Sequence, residues 1–344
     1  MDLREMIAEL ASLTGPSGFE CRAAEKAREL LEPYTDEIRT DILGNLIGIR
    51  RCGEANAPTV LLDAHMDEVG LIVTGYEGGF LRFSNIGGVD ARILPAAEVL
   101  LLTADGPLRG VIDVMPPHVL TAEEKEKPLP MDKLFIDAGF TDEETAKKRV
   151  PRGTPVSYST PCFSLGDNLL CGKSLDDRSC AAILIRAMQL LEGKKLSVNV
   201  AVNLAAQEEV GGRGAVVGTY TLEPEYALAV DVSFAREPGS PAEKTFKIDC
   251  GALIGVGPAA TRSVSDRLIA LAEKKGIPYE IEAVGSYSGT DGDDIIVSRS
   301  GVATGVVSLP LRYMHTPAEV IDLRSAEAVA ELAAAWVGSF GEED

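Results

Sequence analysis

Only three histidines occur in the 344 residues, and two of them stand in settings that suit chemistry. His65 follows the apolar run Thr59 to Asp63, so it falls at the carboxyl end of a strand, the edge of an α/β sheet where ligands bind. Asp67 stands two residues on, and in extended chain both side chains point to one face. That carboxylate can hold the second imidazole nitrogen and fix the tautomer, as a metal-ligating histidine requires. A strand-end histidine capped by a neighbouring acid is the plain alternative. His315, in Arg312-Tyr313-Met314-His315-Thr316-Pro317, follows a second apolar run at 305–309.

Carboxylates gather at similar places. Asp176 and Asp177, in Lys173-Ser174-Leu175-Asp176-Asp177-Arg178, precede an apolar helix, where either acid or Ser174 can serve as an ordinary cap. The strand 198–205 ends in Gln207-Glu208-Glu209-Val210-Gly211-Gly212. Two adjacent acids there are either a solvated loop or a pair that divides labour, one binding metal and the other moving protons. Asp231 ends the run 227–230. Together His65, Asp176, Glu209, Asp231 and His315 form a mixed nitrogen and oxygen set suited to Zn²⁺, Co²⁺ or Mn²⁺. The set exceeds what one tetrahedral catalytic site needs. It fits two ions about 3.5–4 Å apart sharing a carboxylate. Glu208 is then left over as a general base.

The elements that must position these residues read as α/β. Leu3, Met6, Ile7, Leu10 and Leu13 fall on one helical face, stopped by Gly15-Pro16-Ser17-Gly18. A second helix is expected at 21–31, strands at 40–43 and 46–50 on either side of Asn45, and later helices at 179–191, 264–275 and 325–339. Between 70 and 159 short β-rich runs alternate with Gly and Pro turns. The expected organisation is a discontinuous catalytic α/β domain, 1–69 and 160–344, interrupted by a β-rich domain at 70–159.

Composition excludes several classes. The net charge of −20 argues against binding nucleic acid or anionic lipid, and no apolar run approaches the ~20 residues that span a bilayer. Six cysteines without a CxxC pair read as reduced thiols, and the acidic N-terminal stretch is unlike a signal peptide, so the cytoplasm is expected.

With these segments in view, the chain resembles the tetrahedral aminopeptidases, the metallopeptidases that include glutamyl, leucyl and lysyl aminopeptidases. The resemblance rests on Pro16-Ser17-Gly18-Phe19-Glu20, Gly44-Asn45, Ala64-His65-Met66-Asp67-Glu68-Val69-Gly70, Asp176-Asp177-Arg178, Gln207-Glu208-Glu209-Val210-Gly211, Val230-Asp231, Gly289-Thr290-Asp291 and Arg312-Tyr313-Met314-His315-Thr316-Pro317. It implies a mixed sheet between helices, of the zinc-exopeptidase kind, with an inserted small β-barrel that dimerises. It implies two divalent ions per subunit, Zn or Co with Mn as an alternative: His65 and Asp231 on one, Glu209 and His315 on the other, Asp176 bridging. Glu208 would be the base and Asp67 the support of His65. The partners it implies are short peptides with a free N-terminus and further copies of the chain, as dimers or a tetrahedral dodecamer.

Two departures stand out. Cys180 takes a place where the family commonly has glycine, and 290–294 is unusually acidic, which reads as a turn with a helix cap and puts a preference for acidic residues in doubt. His118 is expected to be structural. Rival readings are an N-acyl amino acid deacylase or carboxypeptidase of similar architecture, a glycosidase, and a metal-stabilised assembly protein. A glycosidase needs its carboxyls ~5–9.5 Å apart across a bond, unlike the chain neighbours Glu208 and Glu209.

Overall fold

The computed structural model describes residues 1–122 and 130–341. At its centre Asn199–Ala205, Thr59–His65, Tyr226–Phe234 and Ala303–Arg312 lie side by side as parallel strands. Parallel strands need cover on both faces, and their near-continuous aliphatic sequence supplies it. Val60, Leu62 and Ala64 pack into one layer with the helices Leu3–Ser12, Leu175–Leu190 and Leu323–Gly338. Leu61 and Ala201 face the other way, against Ala215 of the Arg213–Leu222 helix and Ile295. Antiparallel strands flank this centre, Leu46–Arg50 and Glu37–Thr40 on one side, Glu319–Asp322, Leu169–Gly172 and Phe163–Leu165 on the other. The expected mixed sheet sandwiched between helices is the fold found.

The inserted β segment closes on itself. Gly70–Glu77, Phe80–Ile86, Ile136–Asp137, Gly106–Ile112, Glu98–Thr103 and Pro155–Tyr158 form a six-stranded barrel. Closure leaves no strand edge unpaired, and Leu71, Val73, Leu81, Val99, Leu101 and Val156 fill a core separate from that of the sheet.

Some boundaries differ from expectation. The strand expected at 40–43 runs instead over Glu37–Thr40, because Asp41 Oδ1 accepts the amides of Leu43, Gly44 and Asn45 and turns the chain there. The helix expected from Ser179 is preceded by a kinked turn from Leu175 in which Asp176 and Asp177 take non-helical dihedrals.

Glu68, fully buried, ties barrel to sheet. Its Oε1 accepts from the Gly15 amide at 2.7 Å and from Ser157 Oγ, on a barrel strand, at 2.9 Å. Its Oε2 accepts from Lys173 Nζ at 2.7 Å and from the Ser174 hydroxyl. Burial pushes the Glu68 carboxyl up, but Lys173 and Arg178 override it and hold it at about 2. Burial also brings Lys173 down, to about 8, which leaves it a cation at neutral pH, so the pair is ionic.

Candidate metal centre

The carboxyl ends of two central strands deliver His65 and the Glu208-Glu209 turn to one edge of the sheet, while Asp231, expected at a strand end, joins them from inside Tyr226–Phe234, which pairs on past it to Phe234. Asp176 arrives on the first turn of its helix, and His315 three residues beyond the Ala303–Arg312 strand. The Asp176 carboxylate lies between the two imidazoles. Its Oδ1 is 3.1 Å from His65 Nε2, and its Oδ2 is 3.2 Å from His315 Nε2. Glu209 Oε1 is 3.3 Å from His315 Nε2, and Glu208 Oε2 is 3.8 Å from His65 Nε2.

The remaining ring nitrogens are held by the chain itself. His65 Nδ1 faces the Asp67 carbonyl at 3.2 Å and Asp67 Oδ1 at 3.4 Å. His315 Nδ1 faces the Gly88 carbonyl, in the barrel segment, at 3.0 Å. With each Nδ1 proton donated there, each Nε2 faces the acid cluster and is the ring nitrogen a metal would take up. Asp67 supports more than the histidine. Its Oδ1 accepts the Glu208 amide at 2.9 Å, and its Oδ2 accepts Ser17 Oγ at 2.6 Å and the Glu209 amide at 3.2 Å.

Ligand atoms from His65, Asp176 and Glu209 lie within 4.8 Å of one another, as do those of His65, Asp177 and Asp231. Asp177 was legible only as a helix cap, and it caps nothing: both its oxygens are buried without a hydrogen-bond partner. Nor do Ser174 or Asp176 cap the helix, since their side chains turn to Glu68 and to the histidines. Such orphaned buried carboxylate oxygens are costly unless a cation meets them.

The electrostatics point the same way. Burial would lower His315, yet Asp176 and Glu209 raise it to about 11. Burial lowers His65 too, but Asp176 and Asp67 lift it well above its ordinary value. Burial and the neighbouring Asp176 and Glu208 push Asp231 well up, against the pull of His65. Burial, opposed by His65 and reinforced by Glu209, Asp176 and Asp67, brings Glu208 to about 7. Acid outnumbers imidazole, so a divalent cation that displaced the Nε2 protons would find a nitrogen and carboxylate donor set that fits it.

The centre opens into a cavity of ≈ 350 Å³, lined also by Gly88, Val232, Gly289 and Met314. Sequence reasoning missed three contributors: Asp177, Gly88 and Glu319. Glu319 is buried and accepts both the Asp176 amide at 3.1 Å and the His315 amide at 2.9 Å. The short spacing from His315 was the one available hint. In the acidic stretch, Asp293 accepts the Ser288 and Gly289 amides and closes a turn, while Asp291 is buried beside Asp63 and caps nothing. Cys180 is buried at the helix start, and His118 lies in a short 3-10 turn.

Comparison with known proteins identifies the family. Residues 44–332 match the family model described as M42 glutamyl aminopeptidase. The lysyl aminopeptidase of Pyrococcus furiosus is 31% identical over 335 residues, covering 96% of this chain and 95% of that protein. The solved structure of aminopeptidase APDkam598 from the archaeon Desulfurococcus kamchatkensis superposes with a TM-score of 0.91 at 35% identity, over 98% of this chain and 94% of that one. The TET1 peptidase of Pyrococcus horikoshii, described as assembling into a tetrahedron or a large octahedral shell, gives a TM-score of 0.86 at 30% identity, with 98% and 99% coverage. With a family model spanning most of its length and relatives matched end to end, the chain belongs to the M42 glutamyl aminopeptidase family, whose members are metal-dependent aminopeptidases.

Proposed function

We propose that this protein removes the N-terminal residue from short peptides at a dinuclear metal centre. The supporting observation is the Asp176 carboxylate, one oxygen toward each imidazole, with each imidazole's other nitrogen already engaged. In this reading Asp176, His65, Asp231, Glu209 and His315 would hold two divalent ions, with Asp176 serving both, His65 and Asp231 the first and Glu209 and His315 the second; Zn or Co is expected and Mn is an alternative. A divalent pair there supplies Lewis-acid polarisation of the scissile carbonyl and a water acidified toward ~7. Glu208 takes the proton of the attacking water on its carboxylate and returns it to the departing amine. Asp67 keeps Glu208 aimed by holding its amide, and keeps His65 in one tautomer.

The wider reading treats 1–69 and 160–344 as the catalytic domain and the barrel region 70–159 as a dimerising unit. Exposed Val111, Val114, Met115 and Val119 in that region support an apolar contact there. Dimers of this kind would build the homo-oligomer, up to a tetrahedral dodecamer, as the description of the TET1 relative suggests. No helix among the described residues is long and apolar enough to cross a membrane, and all six cysteines are free, which accords with a cytoplasmic protein.

The test is a panel of short peptides, each free and N-acetylated, offered to protein reconstituted with Co²⁺ or Zn²⁺. Release of N-terminal residues from the free peptides alone is expected. Hydrolysis restricted to acetylated amino acids would move the protein to the deacylases.

A further inference from the structure

Beside the metal centre lies a second cavity, a groove of ≈ 580 Å³. Met314 lines both, so the two meet at that side chain. The groove follows the same two strands that present the centre. Asp231 and Phe234 share the strand Tyr226–Phe234, Phe234 is in register with Leu311, and Leu311 to His315 is one short run of chain. Its walls are Phe234, Leu311, Tyr313, Met314, Pro238 and Pro241. Phe234 and Tyr313 remain 57% and 46% exposed, two large rings that face solvent along the groove.

The outer wall is stiff before any ligand arrives. Two prolines restrict it, the Ser240 hydroxyl donates to the Glu237 carbonyl at 2.8 Å, and Arg236 Nη2 donates to the Ala242 and Thr245 carbonyls at 3.1 Å each. The charged lining residues are Glu237 and Lys244, of opposite sign and neither buried. The lining therefore holds no buried cation to meet an acidic side chain, and no buried anion to meet a basic one.

We infer that this groove is the specificity subsite for the side chain of the released residue, and that it takes bulky apolar side chains such as leucine and phenylalanine. The inference rests on the aminopeptidase reading. There the amine and carbonyl of the substrate occupy the acid-lined cavity, which offers no apolar wall except Val232 and Met314. The side chain then leaves past Met314, into the groove. Phe234 acts as a specificity-determining residue.

The test measures kcat/KM on metal-reconstituted enzyme for tripeptides X-Ala-Ala with X as Phe, Leu, Ala, Glu or Lys. Phe and Leu are expected to exceed Glu and Lys at least tenfold, the scale of discrimination that apolar pockets reach. Phe234→Ala is expected to shrink the Phe-over-Ala ratio about tenfold, and Phe234→Glu to move the ranking toward Lys. A wild-type ranking led by Glu or Lys overturns the inference, as does an unchanged ratio in Phe234→Ala. An unchanged ratio with a smaller assembly in light scattering would make the groove a contact with a second copy instead. Cleavage of none of the free peptides sinks the aminopeptidase reading, and the groove assignment with it.

Discussion

Glu319 holds Asp176 in place: the Asp176 amide donates to Glu319 Oε2 at 3.1 Å, while Glu319 Oε1 takes the His315 amide at 2.9 Å. One buried carboxylate therefore fixes the backbone under both a proposed bridging ligand and its partner histidine. Glutamine there has one acceptor oxygen and would turn an NH₂ toward a backbone N–H. Glu319→Gln is expected to fold normally by circular dichroism and to bind Co²⁺ about 10-fold or more weakly in chelator competition. Wild-type affinity would show that the two amides do not need this support.

Gly88 stands against His315. A Cβ at that position would come within 2.9 Å of His315 Nδ1, the atom whose proton the Gly88 carbonyl accepts. Gly88→Ala is expected to push the ring aside and lower bound metal from about two ions toward one per chain by elemental analysis. Full occupancy in that variant would remove His315 from the proposed ligands.

Glu208 is the proposed base, and its amide rather than its carboxylate is what Asp67 holds. Glu208→Gln keeps shape and removes the proton acceptor. Metal content should stay at the wild-type level while turnover falls roughly 10²–10⁴-fold, the usual worth of a general base. Retained turnover would reassign the proton transfer.

At the seam, stability should follow the ionisation of Glu68. Its folded carboxyl is held at about 2, below its ordinary 4.5, so its contribution is present above about 4.5 and is lost as pH falls toward 2. Urea titrations at pH 6, 4 and 3 should show the wild type weakening more steeply than Glu68→Gln. Lys173→Met, which takes away the nearer of the two cations and leaves Arg178 at 3.5 Å, should cost up to about 3 kcal/mol at neutral pH, and adding Glu68→Gln should recover part of it. Equal slopes for wild type and Glu68→Gln would assign the acid sensitivity to other carboxylates.

The sheet, the β-rich insert and the gathering of His65, Asp176, Glu209 and His315 were legible because each leaves a local mark, an apolar run with a polar, chemically capable residue just after it or, for Asp176, just before it. Asp177 was hidden by that same logic: before a helix, an aspartate reads as a cap until its carboxylate is found without a partner. The strand at 40–43 failed because Asp41 accepts amides from three following residues, a competition that apolar patterning does not register. Glu319 and Gly88 act on backbone amides or through a backbone carbonyl, groups that nearly every residue carries, so nothing in the local pattern singles these two positions out.

Among the described residues, the carbonyl of Gly88 is the barrel segment's one hydrogen-bonding hand on the imidazole of His315. Because Glu68 clamps the same two bodies together at another point, the centre is assembled from both halves of the molecule. A transplanted insert from a relative would have to reproduce a carbonyl within hydrogen-bonding reach of that ring, not merely a barrel of the same size. Regrafting the barrel segment and retuning the proposed metal centre are thus a single design problem in this chain.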